Sequence, residues 1–480
     1  MLTAPRTPDN CQWRSQGNPS DVAECRLIRA LVPTELEAKS QVDLTCCRVC
    51  CDHPEPDLYR PNRFIASQVY GQLRQGFNQL PTSTVVVHAA EQLIWIESFL
   101  QVEDCRGEHS QKLPLADDVI IHDSGWWQGI RNRLRRKPRI GLVGSNNQKG
   151  LGHQNRDLVR WLRIRDWLLH SWTDEERIAA ESLVPRLFWI EDESNLRQQV
   201  ERFLNGIDVL LFVERPHVPG LTRLARTRNV RVVCVPNWEW LHPGLDWLGD
   251  VDLMICPTVR TQRMLDEWKV RFGYGWETRL CPWPVDLDRF PFRLRKECRR
   301  FVMVHGNAAH PSRKGLDLLL QAAEKLTDIP FLVWSQTRNL PSMPSNVEVR
   351  FTAQNQRDLY EEGDVCVQLS RWEGLGLPLL ECQAAGLPLI TINEAPMNEH
   401  NPLALLPVAG FEVLELWNRR PILVPQIRLT DTVDVLRNWY GQRIDHASLA
   451  ARQFIEREHS WRSSIKMIKN WISECFRSSH

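Results

Sequence analysis

The chain has 480 residues, of which 42% are hydrophobic and 25% charged, values typical of a globular protein with about two to four domains. The net charge of +1 provides no overall field that would attract nucleic acid, so we expect no nucleic-acid partner. The start, MLTAPRTPDN, lacks the pattern of a secretory signal, and no apolar run reaches about 18 residues. We therefore expect a cytoplasmic protein without a spanning helix.

Residues 1–60 are polar, and they contain six of the 14 cysteines of the chain. Cys47 and Cys50 have the spacing of half a structural zinc site, and Cys11 with Cys25 could supply the other half. Three interpretations stay open: a structural zinc or iron–sulfur module, reduced cysteines in the cytoplasm, or disulfides. The cysteines elsewhere lie mostly in apolar stretches and are expected to pack as small hydrophobic side chains.

Residues 61–137 are predicted to form a mixed α/β extension that ends in a basic linker. RFIASQVYGQLRQGF has helical spacing, and TSTVVVHAA and DDVIIHDSG are typical of short strands. The basic run RLRRKPR, residues 133–139, is typical of a solvated linker. With Trp126 and Trp127 it could instead contact anionic lipid head groups at a membrane surface, and a nucleic-acid patch is a third alternative.

From residue 138 the pattern changes to apolar strands that alternate with helices. In residues 138–290, RIGLVG, GIDVLLFVE, VRVVCVPN and DVDLMICPT are predicted strands, and the Pro-rich CPWPVDLDRF is a connector. Residues 291–455 repeat the pattern, with RRFVMVHGN, IPFLVWS, VEVRFTA, DVCVQLS and LPLITI as strands and QRDLYEEG and PLLECQAAG among the helices. Continuous apolar strands between helices predict two Rossmann-like α/β domains with parallel sheets. Residues 456–480 are predicted to be helical.

The segment RWEGLGLPLLE, residues 371–381, follows a predicted strand and therefore lies at the sheet edge where ligands of α/β folds bind. Gly374 and Gly376 let the backbone approach a ligand closely, and the helix that follows directs free N–H groups at a phosphate. Glu373 and Glu381 can face one cleft, where one carboxylate could bind a sugar ring and the other a ribose. On spacing alone, an ordinary loop with a solvated and a capping glutamate remains an equal alternative.

The segment DVCVQLSRWEGLGLPLLECQAAGLPLI, residues 364–390, resembles the E-x7-E signature of retaining GT-B glycosyltransferases of family four. HGNAAHPSRKGLDLLLQAAEKL resembles the block of this family that binds the donor diphosphate, and WPVDLDRF resembles its interdomain block. EREHSW resembles the start of the tail helix that returns to the N-terminal domain. The resemblance covers residues 138–475 and implies a GT-B architecture, with two Rossmann-like domains facing a cleft.

This resemblance implies roles for residues on the donor side of the cleft. Lys314 would contact the donor diphosphate, Glu373 would bind sugar hydroxyls beside the loop residues Gly374, Leu375 and Gly376, and Glu381 would hold the nucleotide ribose. The family usually has arginine where this chain has Asn307, after Gly306. We expect the neighbouring Arg313 to supply the missing charge, the alternative being that Arg313 is a surface residue.

On the other side of the cleft, GSNNQKGLG resembles the glycine-rich acceptor loop of the family, so Gly150 and Gly152 are expected to close on the donor. A histidine of the family is replaced after VRVVCVPN by Asn237 and Glu239, which could line the cleft or only pack. Glu399 lies where a family loop approaches the sugar.

The resemblance implies an enzyme of the hexosyltransferase type that retains the anomeric configuration and needs no cofactor besides its nucleotide-diphosphate sugar. We place no Asp-x-Asp metal motif for the reaction and expect transfer without a metal. The acceptor would be a glycan, a lipid-linked sugar or a small molecule. Two alternatives stay open: a hydrolase or epimerase of nucleotide sugars, and a non-catalytic binding protein recruited through its Cys-rich front segment.

Overall fold

The computed structural model describes residues 22–24, 41–43, 137–170, 173–190, 193–241, 245, 247–306, 312–351, 353, 356–415 and 421–478. The chain divides into two compact units, and the first comprises Met1–Gln111, His242–Asp246 and Phe411–Val424. In this first unit β1 (Val22–Glu24) pairs antiparallel with β2 (Gln41–Asp43). The predicted zinc ligands Cys11, Cys25, Cys47 and Cys50, and Trp126 and Trp127, lie outside the described residues, so the predictions for them stay predictions.

The second unit begins with a seven-stranded parallel sheet, in the order β5-β4-β3-β6-β7-β8-β9. Its elements are β3 (Ile140–Gly144), α1 (Gly150–Leu162), β4 (Asp166–Leu169), α2 (Asp174–Glu181), β5 (Arg186–Trp189), α3 (Glu193–Asn205), β6 (Val209–Val213), α4 (Leu221–Thr227), β7 (Arg231–Val235), β8 (Leu253–Cys256), α5 (Val259–Phe272) and β9 (Glu277–Leu280). Every residue of β6 and β7 is buried, as expected for central strands that helices cover on both faces.

A six-stranded parallel sheet follows, in the order β12-β11-β10-β13-β14-β15. Its elements are β10 (Phe301–Gly306), α6 (Leu316–Lys325), β11 (Phe331–Ser335), β12 (Val347–Arg350), β13 (Val365–Gln368), α7 (Leu377–Ala384), β14 (Leu389–Ile392) and β15 (Ala404–Leu406). β16 (Gly410–Glu415) and β17 (Pro421–Gln426), most of whose residues belong to the first unit, form a separate two-stranded sheet. In the part of the chain that the structure describes, five short 3-10 turns complete the connections: Trp238–Trp240, Leu248–Asp250, Leu287–Arg289, Gln356–Tyr360 and Met397–Glu399.

Three helices close the chain: α8 (Leu429–Trp439), α9 (Asp445–Glu458) and α10 (Trp461–Arg477). Ser460 caps α10, because its side chain accepts a hydrogen bond from the amide of Arg462. The first residue of the helix, Trp461, stacks on Trp161 of α1 at 5.8 Å and meets Trp283 of the connector edge to face at 5.7 Å. Through this aromatic cluster the last helix packs against α1 and β7 of the sheet of residues 140–280.

The strand orders locate a ligand-binding edge in each sheet. Strand β3 lies between β4 and β6, and β10 lies between β11 and β13, so the direction of the chain crossover reverses at β3 and at β10. Ligands of open α/β sheets bind outside the carboxyl ends of the strands at such a reversal. In the second sheet this edge is formed by the residues after β10 and after β13.

The two parallel-sheet α/β domains predicted from the sequence are confirmed. The stretch 356–363, predicted as a helix, forms only a 3-10 turn because Tyr360 is buried and Gly363 turns the chain into β13 with a φ of +98°. Strands β1, β2, β4, β5, β9, β15, β16 and β17 were not predicted. Among the described residues, no helix combines the length and the apolar character needed to span a bilayer. The predicted domain boundaries stay predictions.

Candidate active site

The loop between β13 and α7 holds the first of the two predicted glutamates. Gly376 precedes α7 with a φ of +74°, and Pro378 occupies the first turn, where its missing N–H costs no helical hydrogen bond. Glu373, before these two residues, is buried with 4% of its surface exposed. The loop therefore turns its carboxylate inward rather than into solvent, in contrast to the alternative of a solvated glutamate.

Two adjacent cations bind the carboxylate of Glu373. Lys314 Nζ donates to Glu373 Oε1, and Arg313 Nη2 donates to Oε2 at 3.3 Å. Burial by itself raises the pKa of Glu373, but the attraction of Lys314 and Arg313 outweighs burial and places the pKa below its ordinary value. Glu373 is therefore a carboxylate anion held between two cations.

A second carboxylate reaches this cluster from the first sheet. Glu239, in the 3-10 turn after β7, accepts hydrogen bonds from Arg313 Nη2 at 2.9 and 3.0 Å and from Trp240 Nε1 at 3.1 Å. Trp238 Nε1 of the same turn donates to the backbone oxygen of Glu373 at 2.6 Å. Burial raises the pKa of Glu239, which Arg313 opposes. We name Glu239, Arg313, Lys314 and Glu373 the charge cluster.

Gly315, which directly follows the charge cluster, has a backbone that other residues adopt only under strain. Its φ is +67°, and a Cβ at this position would lie 2.2 Å from the carbonyl oxygen of Leu369. We expect Gly315→Ala to lower the free energy of unfolding by about 3 kcal/mol, about 1 from strain and the rest from the clash. Gly441 has a φ of +77° with no atom near its missing Cβ, so Gly441→Ala should cost only about 1 kcal/mol.

Denaturant unfolding of the two variants measures both costs. Equal destabilisation by Gly315→Ala and Gly441→Ala would contradict the close contact between residue 315 and the start of the β13 loop.

Glu381, the second predicted glutamate, is buried on α7 and has two hydrogen-bond donors. Gln356 Nε2 lies 2.5 Å from Oε1, and the Tyr360 hydroxyl lies 2.8 Å from Oε2. Burial raises the pKa of Glu381 to about 7, although the hydrogen bond from Tyr360 opposes the rise. Sequence reasoning missed both donors, because each depends on the 3-10 turn that replaced the predicted helix.

Glu381 and Gln356 line a small pocket of mixed polar and apolar side chains. On the other side, α1 contributes Asp157, whose pKa burial raises to about 6 against the attraction of Arg289. Arg289 Nη2 lies 2.6 Å from Asp157, and the connector also supplies Asp286 to this cavity. The sequence analysis did not select Asp157, Arg289 or Asp286. For Arg289 and Asp286 the only signal in the sequence was the connector block WPVDLDRF.

The predicted glycine-rich loop folds back onto α1. A Cβ on Gly152 would lie 1.8 Å from the carbonyl oxygen of Asn147, so only glycine fits there. A Cβ on Gly150 would lie 3.8 Å from Leu377 of α7, so the loop lies against the helix of Glu381. Asn237 is buried at the end of β7 and bonds Gln154 of α1 at 3.4 Å.

The remaining predicted residues do not all lie at the charge cluster. A Cβ on Gly374 would lie 3.1 Å from Glu239 Oε1, so this glycine allows the two loops to meet. Leu375 is buried, and Gly306 ends β10 with a φ of +62°. Glu399 accepts from the amides of Val259 and Arg260 at 2.7 and 2.8 Å, so its carboxylate caps α5. Asn307 lies outside the described residues.

Residues 299–409, which contain Arg313, Lys314, Glu373 and Glu381, match the family model described as Glycosyl transferases group 1. The matched residues are similar to that family. The match confirms the predicted enzyme class, a glycosyltransferase. No curated protein matches the sequence.

Among solved structures, the chain is similar to the pneumococcal O-GlcNAc transferase GtfA in complex with UDP and GlcNAc, at 15% identity and a TM-score of 0.45. That alignment covers 58% of this chain and 60% of GtfA. A glycosyltransferase from Rickettsia africae aligns at 14% identity over 71% of this chain and 99% of its own, with a TM-score of 0.49. Sucrose-phosphate synthase from Thermosynechococcus elongatus aligns at 13% identity over 71% and 99%, with a TM-score of 0.46.

Proposed function

We propose that this glycosyltransferase moves a sugar from a nucleotide-diphosphate sugar to an acceptor hydroxyl with retention of configuration. The observation that carries the proposal is the convergence of Lys314 and Arg313 on buried Glu373 outside the carboxyl end of β13. Two cations at this edge can hold a diphosphate, while the carboxylate accepts hydrogen bonds from sugar hydroxyls. Because the cations and the carboxylate are adjacent, they can bind the two parts that the reaction separates.

In the proposed step the acceptor oxygen forms a bond to the anomeric carbon as the bond from that carbon to the phosphate oxygen breaks. The electron pair of the broken bond leaves on the diphosphate, which also takes the proton of the acceptor hydroxyl. Attack on the face that the diphosphate leaves retains the configuration. Lys314 and Arg313 stabilise the charge that develops on the leaving group, and electrostatic stabilisation of this kind is usually the largest single contribution to catalysis.

We assign the nucleotide ribose to Glu381. Its carboxylate is buried and lines the small pocket. Gln356 and Tyr360 both donate hydrogen bonds to it, as ribose hydroxyls could. The acceptor, a hydroxyl of a glycan, a lipid-linked sugar or a small molecule, is assigned to the side of Asn237 and the loop of Gly150 and Gly152.

A thermal-shift panel of ADP, CDP, GDP, UDP and dTDP, with their hexose conjugates, tests the donor class. A ligand at about 100 times its Kd adds about 2.7 kcal/mol to the stability of the folded state, so one nucleotide should raise Tm by about 2 °C or more. If none of the nucleotides raises Tm, the chain is not a nucleotide-sugar enzyme.

Proton NMR during slow hydrolysis of the effective donor tests the stereochemistry. The sugar first released should have the anomeric configuration that it had in the donor, whereas the opposite anomer would contradict retention. Turnover that stops at free sugar with every acceptor class would favour a hydrolase, and conversion of the bound sugar into another nucleotide sugar would favour an epimerase. Binding without turnover would favour the non-catalytic binding protein.

A further inference from the structure

The charge cluster contains one more carboxylate than the proposed reaction uses. Glu239 comes from the turn after β7 of the first sheet, and its partner Arg313 precedes α6 of the second sheet. The side chain of Glu239 is 7% exposed and that of Arg313 is 20% exposed, so the pair is shielded from solvent. An ion pair in such a place is stronger than one on the surface.

The Glu239 carboxylate occupies a donor of Arg313 that an oxyanion could otherwise use. Both of its oxygens are within hydrogen-bond distance of one guanidinium nitrogen, Arg313 Nη2. Arg313 Nε is buried, and among the described residues it has no hydrogen-bond partner. The guanidinium therefore has donor capacity that Glu239 and Glu373 do not use, and a phosphate that took the place of Glu239, with its several acceptor oxygens, could use it.

The formal charges of Glu239, Glu373, Arg313 and Lys314 cancel. A diphosphate that entered this neutral cluster would meet two carboxylates as well as two cations. Removal of Glu239 would leave a net positive charge beside the incoming anion. Two anions beside one guanidinium repel one another when water is excluded, so the diphosphate and Glu239 oppose one another at Arg313.

We propose that Glu239 is a built-in competitor of the donor diphosphate for Arg313, and that donor binding displaces it. This inference rests on the proposed function, because it takes the diphosphate as the ligand of Arg313. Glu239 thereby sets the donor affinity: the nucleotide binds only to the fraction of molecules in which Arg313 is released. If Arg313 is paired with Glu239 about nine-tenths of the time, the apparent affinity is lowered about tenfold.

Calorimetric titration of the stabilising nucleoside diphosphate into four proteins tests the proposal. Against wild type, Glu239→Gln should bind about tenfold more tightly, and Arg313→Gln should bind more weakly. The matched control is Glu394→Gln, because Glu394 pairs with Arg260 across the same two sheets at 2.8 Å. Its affinity should equal that of wild type.

Two results would overturn the competition between Glu239 and the diphosphate. One is equal or weaker binding by Glu239→Gln, and the other is equal tightening by Glu394→Gln, which would show a general loosening between the sheets. If Glu239→Gln does not fold, Trp240→Phe removes one hydrogen bond from Glu239 and should tighten binding about two- to threefold. Unchanged binding by Trp240→Phe would then overturn the proposal. Absence of binding to wild type and all variants refutes the proposed function itself.

Discussion

Lys314→Met is expected to lower the rate of sugar transfer by about a hundred- to a thousandfold. Methionine keeps much of the length of the side chain and removes the ammonium group that Glu373 holds at the sheet edge. Loss of one fixed charge that stabilises a developing anion typically has an effect of this size, because the site was organised before the reaction began. The measurement is the initial rate of nucleoside diphosphate release at saturating donor.

The same change is expected to leave the protein folded. Glu373 keeps its hydrogen bond to Arg313, so the loss of one charged hydrogen bond should cost about 2 kcal/mol. Lys325→Met is the matched control, since Lys325 is exposed at the end of α6, the helix that Lys314 precedes. It should change neither rate nor stability. A Lys314→Met enzyme that keeps more than about a tenth of the wild-type rate would remove Lys314 from the reaction.

Lys314→Arg separates charge from shape. The guanidinium restores the positive charge but reaches further and is planar, so stability should return while the rate recovers only in part. Full recovery of the rate would show that charge alone matters at this position.

The sequence was sufficient for the two parallel sheets and for the loop of Glu373. Continuous apolar runs such as VLLFV are read directly as buried strands, and the glycines and proline at 374–378 specify a tight turn into a helix. Strand β5 was not predicted because it lies at the sheet edge and begins with an exposed residue. A short edge strand carries little of the apolar pattern on which a sequence prediction depends.

The partners of the predicted glutamates could not be derived in the same way. Glu239 and Arg313 are 74 residues apart and lie in different sheets, so their contact depends on how the two sheets meet. Tyr360 reaches Glu381 only because the predicted helix is replaced by a short turn. Propensity and spacing describe neighbours along the chain, whereas these contacts are decided by tertiary packing.

Glu381→Gln is expected to stabilise the nucleotide-free protein at high pH and to weaken nucleotide binding. Burial raises the pKa of Glu381 from 4.5 to about 7 in the folded protein. Between these two values the folded state binds more protons than the unfolded state, so stability falls as the pH rises. Each pKa unit corresponds to about 1.4 kcal/mol, so the ionised side chain costs the folded protein up to about 3 kcal/mol above pH 7.

Glutamine removes this cost because it is neutral at every pH. Its amide oxygen can still accept the hydrogen bond from the Tyr360 hydroxyl, so the variant should be more stable than wild type at about pH 8 and nearly equal to it at about pH 5. Denaturant unfolding at both pH values measures the difference. Glu324→Gln, on the exposed side of α6, is the control, and it should change the free energy of unfolding by the same small amount at both pH values.

Nucleotide affinity should change in the opposite direction. The amide cannot accept two ribose hydroxyls as a carboxylate does, and loss of a hydrogen bond to a charged group lowers affinity about ten- to a hundredfold. A difference in stability that does not depend on pH would contradict the buried, ionisable carboxylate, whereas unchanged nucleotide affinity would remove the ribose from Glu381. If both expectations hold, Glu381 is kept at a cost to folding because the nucleotide needs its charge, the usual relation between a buried polar group and a binding site.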